Sequence, residues 1–296
     1  MTQRHVWTAE EEVTAAQMNG LYRFGGTGAD GALSISSGTT TIDLGNVAVL
    51  EKNYTSISIT GTGKLAFTNP HANGTVIILK SQGDVVLTSN QTPMIDCSGL
   101  GAQGGTNGGT GWGGAGNDGY AHITGTKAGS GTTGGAIATF RYAPTQTNTF
   151  SQYPFIFVGA GGGPGYRPYS DSGSAGSGGR GGGGLIIECG GSLNFTTTDG
   201  ISVAGIIGED GTSGYGGWSG DGGGGGGGCC LIFYNALTAN TGTIVVSGGP
   251  QNTGFTNTLG GAGGGSAANA GGGGSGAVSG AGGDGYSLVQ ENTEFI

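Results

Sequence analysis

Charge is scarce in this chain, and positive charge is confined to its first part. Only 9% of the residues are charged, and the formal net charge is −9. No Lys or Arg follows Arg180, whereas eight carboxylates lie between Glu188 and Glu294. Nucleic acids and anionic membrane surfaces are bound by clusters of Lys and Arg. The composition therefore excludes both as partners.

Long apolar runs are also missing. No stretch approaches the ~20 residues that cross a bilayer as a helix. Residues 1–8 lack the apolar segment of a secretory signal peptide. We therefore expect no insertion into a membrane and no export through a signal peptide.

The cysteines and histidines do not have the spacing of a metal site. The three histidines are scattered, and the four cysteines form no C-x-x-C pair. Two of the cysteines are adjacent, a geometry in which a disulfide is strained. Cys97, Cys189, Cys229 and Cys230 are predicted to be small buried side chains of a protein made in a reducing cytosol. No metal and no cofactor is expected.

Glycine is what the chain has in abundance, with 75 of 296 residues. It occurs in blocks, such as residues 181–184, 222–228 and 271–274, separated by short aliphatic runs. Because glycine loses more backbone entropy on folding than any other residue, its excess must be offset by contacts that only glycine permits. Close approach of one backbone to another is such a contact. The composition favours an architectural protein over an enzyme.

One segment has the pattern of a helix. Thr8-Ala9-Glu10-Glu11 resembles a capping box, and Gly25-Gly26 ends the pattern, which predicts a helix over residues 8–24. An amphipathic helix on a β-rich chain caps an open end or docks onto a partner. The candidate residues for attachment or oligomerisation are Trp7, Val13, Met18, Leu21 and Tyr22.

Residues 31–99 alternate between apolar and polar residues in short runs, such as Ile57-Ser58-Ile59, with turn signals such as Gly61-Thr62-Gly63 between them. The period of two predicts short strands. Their rhythm suits a β-solenoid or a sandwich, and the short spacing favours the solenoid.

Residues 100–296 contain a loose repeat of glycine tract, aliphatic strand, polar corner and second strand. One copy runs through Leu185-Ile186-Ile187 and Ile201-Ser202-Val203, and a second through Leu231-Ile232-Phe233 and Ile244-Val245-Val246. A degenerate copy begins earlier, at Val76-Ile77-Ile78-Leu79. Units that bury their faces against neighbours are typical of stacked folds.

The glycine tracts are either loops or extended three-residue helices packed side by side, and lateral hydrogen bonding favours the helices. We therefore predict an all-β fold. A β-solenoid-like stack of short strands merges into packed polyglycine helices, with one short N-terminal helix. The predicted regions are an attachment segment (1–30), a short-strand region (31–99) and a glycine-rich repeat region (100–296).

Two glycine tracts suggest a family. Gly159-Ala160-Gly161-Gly162-Gly163-Pro164-Gly165 and Gly260-Gly261-Ala262-Gly263-Gly264-Gly265, which alternate with aromatic segments, resemble the receptor-binding adhesins on the long tail fibres of T-even-like bacteriophages. The segment around Trp7-Thr8 also looks like the N-terminal element of many phage virion proteins. The resemblance implies a structural virion protein of a tail fibre or appendage, assembled in the host cytoplasm. Its implied partners are other fibre subunits, including copies of itself in a homo-oligomer, and a host surface glycan or outer-membrane protein.

Aromatic residues inside the glycine-rich stretches are the candidate receptor contacts. Rigid aromatic rings and an Arg on adaptable loops are typical of recognition surfaces. The alternative is that the rings cover glycine segments that have no side chains of their own. The candidates are Trp112, Tyr120, Tyr166, Arg167, Tyr169, Tyr215 and Trp218.

Other functions have weaker support in the sequence. Residues 113–120 nearly match a calcium-binding nonapeptide but have no tandem copy. Glu209-Asp210, with Asp221 and Asp199, could form a glycan-cleaving carboxylate pair, but acids in glycine loops are commonly solubilising charges. We expect no enzymatic activity. The alternative functions are an extracellular or cell-surface filament subunit and, supported only by Thr39-Thr40-Thr41 and Thr196-Thr197-Thr198, an ice-binding protein.

Overall fold

The computed structural model describes residues 24–106, 111–112, 140–141, 155–167, 173–214, 217–252, 263–264 and 279–292. Strands, turns and irregular segments make up these ranges, which contain no helix. None of these residues belongs to a helix capable of spanning a membrane. The helix predicted over residues 8–24 lies outside the described residues, apart from Phe24, which is in a turn.

Seventeen strands are present in the described ranges. They are β1 (Ala32–Asp43), β2 (Val49–Tyr54), β3 (Ser56–Thr68), β4 (Val76–Ser81), β5 (Val85–Leu87), β6 (Ile95–Asp96), β7 (Gly111–Trp112), β8 (Phe140–Arg141), β9 (Phe155–Ile156), β10 (Tyr166–Arg167), β11 (Gly184–Phe195), β12 (Ile201–Ser202), β13 (Ser213–Gly214), β14 (Gly217–Trp218), β15 (Cys229–Asn240), β16 (Ile244–Val245) and β17 (Tyr286–Glu291).

Eleven of the strands form one sheet in which all neighbours are parallel. The three copies of the sequence repeat lie side by side in it. Leu185 of β11 is the register partner of both Ile77 in β4 and Cys230 in β15. In the second strands of the copies, Ile201 pairs with both Ile95 and Ile244. Similar sequences therefore occupy neighbouring positions, so that like side chains stack on like.

Aliphatic side chains on the two faces of these strands form two buried clusters. Leu185, Ile187 and Cys189 of β11 belong to the larger cluster, and Ile186 belongs to the smaller one. Successive residues of a strand point to opposite faces, and a parallel sheet buried on both faces reads as a continuous apolar run. The smaller cluster is completed by Ile156, Phe157 and Val158.

The glycine segments lie beside the sheet and bond to one another through their backbones. In segment 173–183 the N–H groups of Gly176, Gly179 and Gly182 donate to Gly220, Gly223 and Gly226 at 2.9, 2.8 and 2.8 Å. The N–H groups of Gly178 and Gly181 donate to Gly105 and Ala102, each at 2.9 Å. Carbonyl groups of the same segment accept bonds from segments 159–165 and 203–212. The buried polar groups are thus satisfied across segments.

Close approach explains why these positions are glycine. A Cβ atom on Gly178 would clash with the carbonyl oxygen of Gly162, and one on Gly222 with that of Ser177. Both contacts would fall inside the 3.0 Å that real Cβ atoms respect, and both obstacles are backbone. Any larger residue would therefore force two hydrogen-bonded segments apart.

The predicted fold class is wrong. The described residues show neither a solenoid of short strands nor polyglycine helices, but a parallel sheet with strands of up to 13 residues. The turn expected at Gly61-Thr62-Gly63 is not present, because these residues lie inside the continuous strand β3. At this point the register between β1 and β3 shifts, between Ile35 and Ser37 of β1. The described glycine segments carry no regular secondary structure, and their backbone groups are satisfied by lateral bonds to other segments.

All four cysteines are buried thiols outside disulfides, which agrees with the prediction of small buried side chains. Cys189 lies in β11, Cys229 and Cys230 lie in β15, and Cys97 follows β6. Burial raises the pKa of the Cys189 thiol to about 11 and that of the Cys229 thiol to about 12. The thiols are therefore protonated at neutral pH.

Candidate recognition site

Two of the predicted aromatic positions face each other in a small antiparallel pair. Strand β10 pairs with β7, so that Tyr166 is the register partner of Trp112 and Arg167 is that of Gly111. The two strands are more than fifty residues apart in sequence. The structure thus brings together aromatic positions that the sequence analysis selected separately.

A third aromatic position belongs to a neighbouring hairpin. Strands β13 and β14 pair antiparallel, with Ser213 opposite Trp218. Gly220, two residues after Trp218, donates its N–H to the carbonyl of Tyr166 at 2.8 Å. A single backbone bond therefore connects the chain around Trp218 to the β7–β10 pair. We call the backbone of β7, β10, β13 and β14 the aromatic end.

Glycine segments support the aromatic end from the side of the sheet. Gly165 donates to Gly176 at 2.9 Å, and Gly176 donates in turn to Gly220 at 2.9 Å. Segments 173–183 and 219–228 then continue directly into β11 and β15. These two segments thus connect the aromatic end with strands β11 and β15 of the large sheet.

Polar side chains brace the β13–β14 hairpin. The buried Asp221 accepts a hydrogen bond from the N–H of Gly211 at 2.8 Å. The Thr212 hydroxyl oxygen accepts a bond from the N–H of Ser174 at 2.7 Å, and the Thr212 N–H donates to the Ser174 carbonyl at 2.8 Å. These contacts fix the hairpin against segment 173–183. Asp221 was considered as a glycan-cleaving acid, but the geometry assigns its Oδ1 to a backbone amide.

The remaining predicted site residues fall into two groups. For Trp112, Arg167 and Trp218 the structure gives the strand positions, and Tyr166 is half-buried. Residues outside the described ranges are the receptor candidates Tyr120, Tyr169 and Tyr215 and the attachment candidates Trp7, Val13, Met18, Leu21 and Tyr22.

Arg180 was not among the predicted site residues, although it links segment 173–183 to the chain around residues 71 and 99–101. Its guanidinium donates to the carbonyls of Gly99, His71 and Gly101 at 2.9, 3.1 and 3.0 Å. Burial lowers the pKa of this guanidinium from its usual value, but an Arg keeps its charge. The signal available in the sequence was its position, since Arg180 is the last cation of the chain and lies inside a glycine tract.

The other candidate sites are dispersed in the structure. Asp210 accepts a bond from the Asn252 amide, whereas Asp199 is bound by the Thr243 hydroxyl at 3.0 Å in a different turn. Asp30, another acid in a glycine-rich segment, is bound by Lys52. The described residues contain no group of three metal-binding side chains.

The first threonine run, proposed as a candidate ice-binding face, is not continued by threonines on the neighbouring strand β3. Thr39, Thr40 and Thr41 are exposed in β1, but their register partners in β3 are Lys64, Leu65 and Ala66.

Comparison of the chain with protein-family models, with curated proteins and with solved structures finds no match in any of the three. No family is therefore assigned to the chain.

Proposed function

We propose that the chain is a structural protein of a phage tail fibre or appendage, and that its aromatic end contributes to binding the host receptor. The observation that carries the proposal is the placement of Trp112, Tyr166 and Trp218 on one connected backbone network. Aromatic side chains on a preorganised base lose little entropy on binding, which favours recognition of glycans and proteins.

The glycine tracts support the same proposal. Tracts 159–165 and 222–228 belong to the part of the sequence that resembles phage adhesins, and both are buried and laterally hydrogen-bonded. A fibre needs a stiff body, and buried backbone bonds between segments supply stiffness. The alternative function, a self-assembling filament subunit, draws support from the ends of the sheet, described below.

Receptor binding is tested with alanine variants of the aromatic positions. We expect Trp112→Ala, Tyr166→Ala and Trp218→Ala to weaken binding of the purified protein to an array of bacterial lipopolysaccharides and capsular polysaccharides about tenfold or more each. Ile207→Ala is the control, because Ile207 is an exposed apolar residue outside the four strands of the aromatic end and outside the edge strands β2 and β17. Unchanged binding by all three variants, or equal loss in the control, would refute the aromatic end as the receptor site.

The virion role is tested by incorporation. Residues 24–30 contact the sheet, since Gly25 donates to Glu188 at 3.2 Å and Asp30 binds Asn53 at 2.7 Å. A deletion that tests attachment should therefore stop at residue 23. We expect the deletion to abolish incorporation into particles while the isolated protein keeps its thermal stability. Incorporation at the wild-type level would show that this segment does not attach the protein.

A further inference from the structure

Two edge strands of the sheet, β2 and β17, lie at the two ends of one row of register partners. One row of register partners runs from Val49 in β2 through Val76, Gly184 and Cys229 to Tyr286 in β17. Within the described residues β2 pairs only with β4, and β17 pairs only with β15. Each of these two strands therefore has one paired edge and one edge without a strand partner among the described residues.

The outward-pointing backbone groups of β2 and β17 lie at register positions that allow the two strands to pair with each other. Val76 donates its N–H to Ala48, and Tyr286 donates its N–H to Gly228, at 2.9 and 3.0 Å. Because alternate residues of a strand bond to opposite sides, the N–H and C=O groups of Val49 and Glu51 point out of the sheet, as do those of Ser287 and Val289. If a second copy were placed at the end of the row, the outward N–H groups of one edge strand would lie opposite the outward C=O groups of the other.

Part of the β2 edge is already covered. The Asp30 N–H donates to the Asn53 carbonyl at 2.7 Å, and the Asp30 carboxylate accepts the Asn53 N–H at 2.7 Å. The open part of the edge is therefore Val49 to Lys52. Its equivalents in the register of β17 are Tyr286 to Val289.

Exposed apolar side chains lie at the ends of these rows of register partners, where a second copy could cover them. Six large apolar residues of the described chain are exposed, and two of them, Val49 at 40% and Tyr286 at 41%, share one row at opposite ends. A third, Leu237 at 50%, lies at the end of a row that starts at the half-buried Leu33. Translation of one sheet onto the next would bury Tyr286 against Val49 and Leu237 against Leu33.

We infer that copies of this chain associate end to end, with the β17 edge of one copy adding in parallel to the Val49–Lys52 edge of the next. The partner is a second copy because the ends continue one register, one direction and one set of apolar rows. Backbone bonds supply the affinity of such strand addition, and the side-chain rows fix its register. The association is head to tail, so that it propagates into a filament. It does not depend on the proposed virion role.

The edges are blocked one at a time with proline. Val49→Pro and Ser287→Pro each remove an outward N–H and leave the internal ladder intact, as proline on a sheet edge permits. We expect the wild-type chain of 28.6 kDa to show a mass that rises with concentration in analytical ultracentrifugation. Each variant should self-associate at least about tenfold more weakly. Ile207→Lys, at an exposed apolar residue outside both edges, should associate as the wild type does.

Mixing the two variants gives the decisive arm. Val49→Pro keeps an open β17 edge and Ser287→Pro keeps an open β2 edge, so an equimolar mixture should form a dimer of one junction and nothing larger. A wild-type protein that stays monomeric, proline variants that assemble normally, or a mixture of folded variants that does not dimerise would overturn the inference. Should a proline variant fail to unfold cooperatively, Val49→Lys and Tyr286→Lys replace the pair with the same expected outcomes.

Discussion

The parallel sheet and the glycine segments hold their chains together in opposite ways. In the sheet, Leu185 and Ile187 are fully buried and contribute apolar area to a side-chain core. In the glycine segments, Gly222 is buried and Gly178 is half-buried, but the neighbours of both are the backbone atoms of other segments. The first region is stabilised by burying side chains. The second is stabilised by backbone hydrogen bonds between segments, which can approach closely because glycine has no side chain.

This difference predicts opposite responses to substitution. A side-chain core is damaged when a large residue becomes small, because a cavity remains. A backbone core is damaged when the smallest residue becomes larger, because hydrogen-bonded segments must separate. One chain therefore contains two kinds of interior, and opposite substitutions in the two can tell them apart.

The largest effect is expected for Gly178→Ala. The new Cβ would meet the Gly162 carbonyl, and neither backbone can yield without breaking lateral bonds. We expect a loss of more than about 3 kcal/mol in the free energy of unfolding, above the usual range for overpacking. Urea unfolding measures this loss. Gly38→Ala is the control, since Gly38 has a φ of +68° and open space around it, and only the local strain of about 1 kcal/mol applies.

The converse substitution in the sheet is Leu185→Ala. Leu185 is fully buried between β4 and β15, and truncation leaves a cavity that costs about 3 kcal/mol. The same urea experiment compares it with Ile207→Ala, whose side chain is 48% exposed and should cost well under about 1 kcal/mol. Equal losses for the two variants would mean that the aliphatic runs do not form the interior of the sheet.

Alkaline pH should weaken the sheet through its cysteines. Burial raises the pKa of Cys189 to about 11 and that of Cys229 to about 12, against 9.0 in the unfolded chain. A raised folded pKa contributes stability that is present below pH 9 and is lost as pH rises toward the folded value. We expect each thiol to cost roughly 1 kcal/mol per pH unit above pH 9. Urea unfolding at pH 8 and 10 measures the loss, and Cys189→Ala should reduce the slope; an unchanged slope would contradict burial of that thiol.

A smaller effect is expected on the acid side. Burial alone would raise the pKa of Asp96, but hydrogen bonds from Lys64, at 2.8 Å, and Ser98 hold it below its usual value. A lowered pKa contributes stability above the unfolded value of 3.8, and that stability is lost as pH falls through the folded pKa. Asp96→Asn should lose less than about 1 kcal/mol at pH 7, because the pair is partly exposed. The difference from the wild type should vanish near pH 2, and its persistence there would contradict an ionic contribution.

Some of the fold was visible in the sequence, and the reason is local. Leu185-Ile186-Ile187 and Leu231-Ile232-Phe233 are β-branched or bulky apolar runs whose strand preference does not depend on distant residues, and both are strands. The strand lengths were not visible, because Gly61 is a turn signal in sequence and a position within a continuous strand in the structure. The helices predicted for the glycine tracts are absent from the described residues, and the partners of these backbones lie in distant segments that no local pattern specifies.

The candidate site was predictable only as a set of residue types. Aromatic residues within glycine tracts stand out in the sequence, but the pairing of Trp112 with Tyr166 joins residues 54 positions apart and depends on the registration of glycine segments. No local pattern encodes that registration. Arg180 was missed for the same reason, because its three carbonyl partners belong to turns and segments about 80 to 110 residues earlier in the chain.

Hydrogen exchange tests the central claim most directly. The claim is that the glycine segments form a backbone-bonded interior whose hydrogen bonds are as stable against opening as those of the sheet. The measurement compares amide exchange in residues 173–183 and 219–228 with exchange in β11. We predict that amides such as Gly176, Gly179 and Gly182 are protected to the same free energy as the strand amides, since their bonds open only with global unfolding. Exchange of the glycine amides at the rate of an open loop, while β11 stays protected, would contradict the claim.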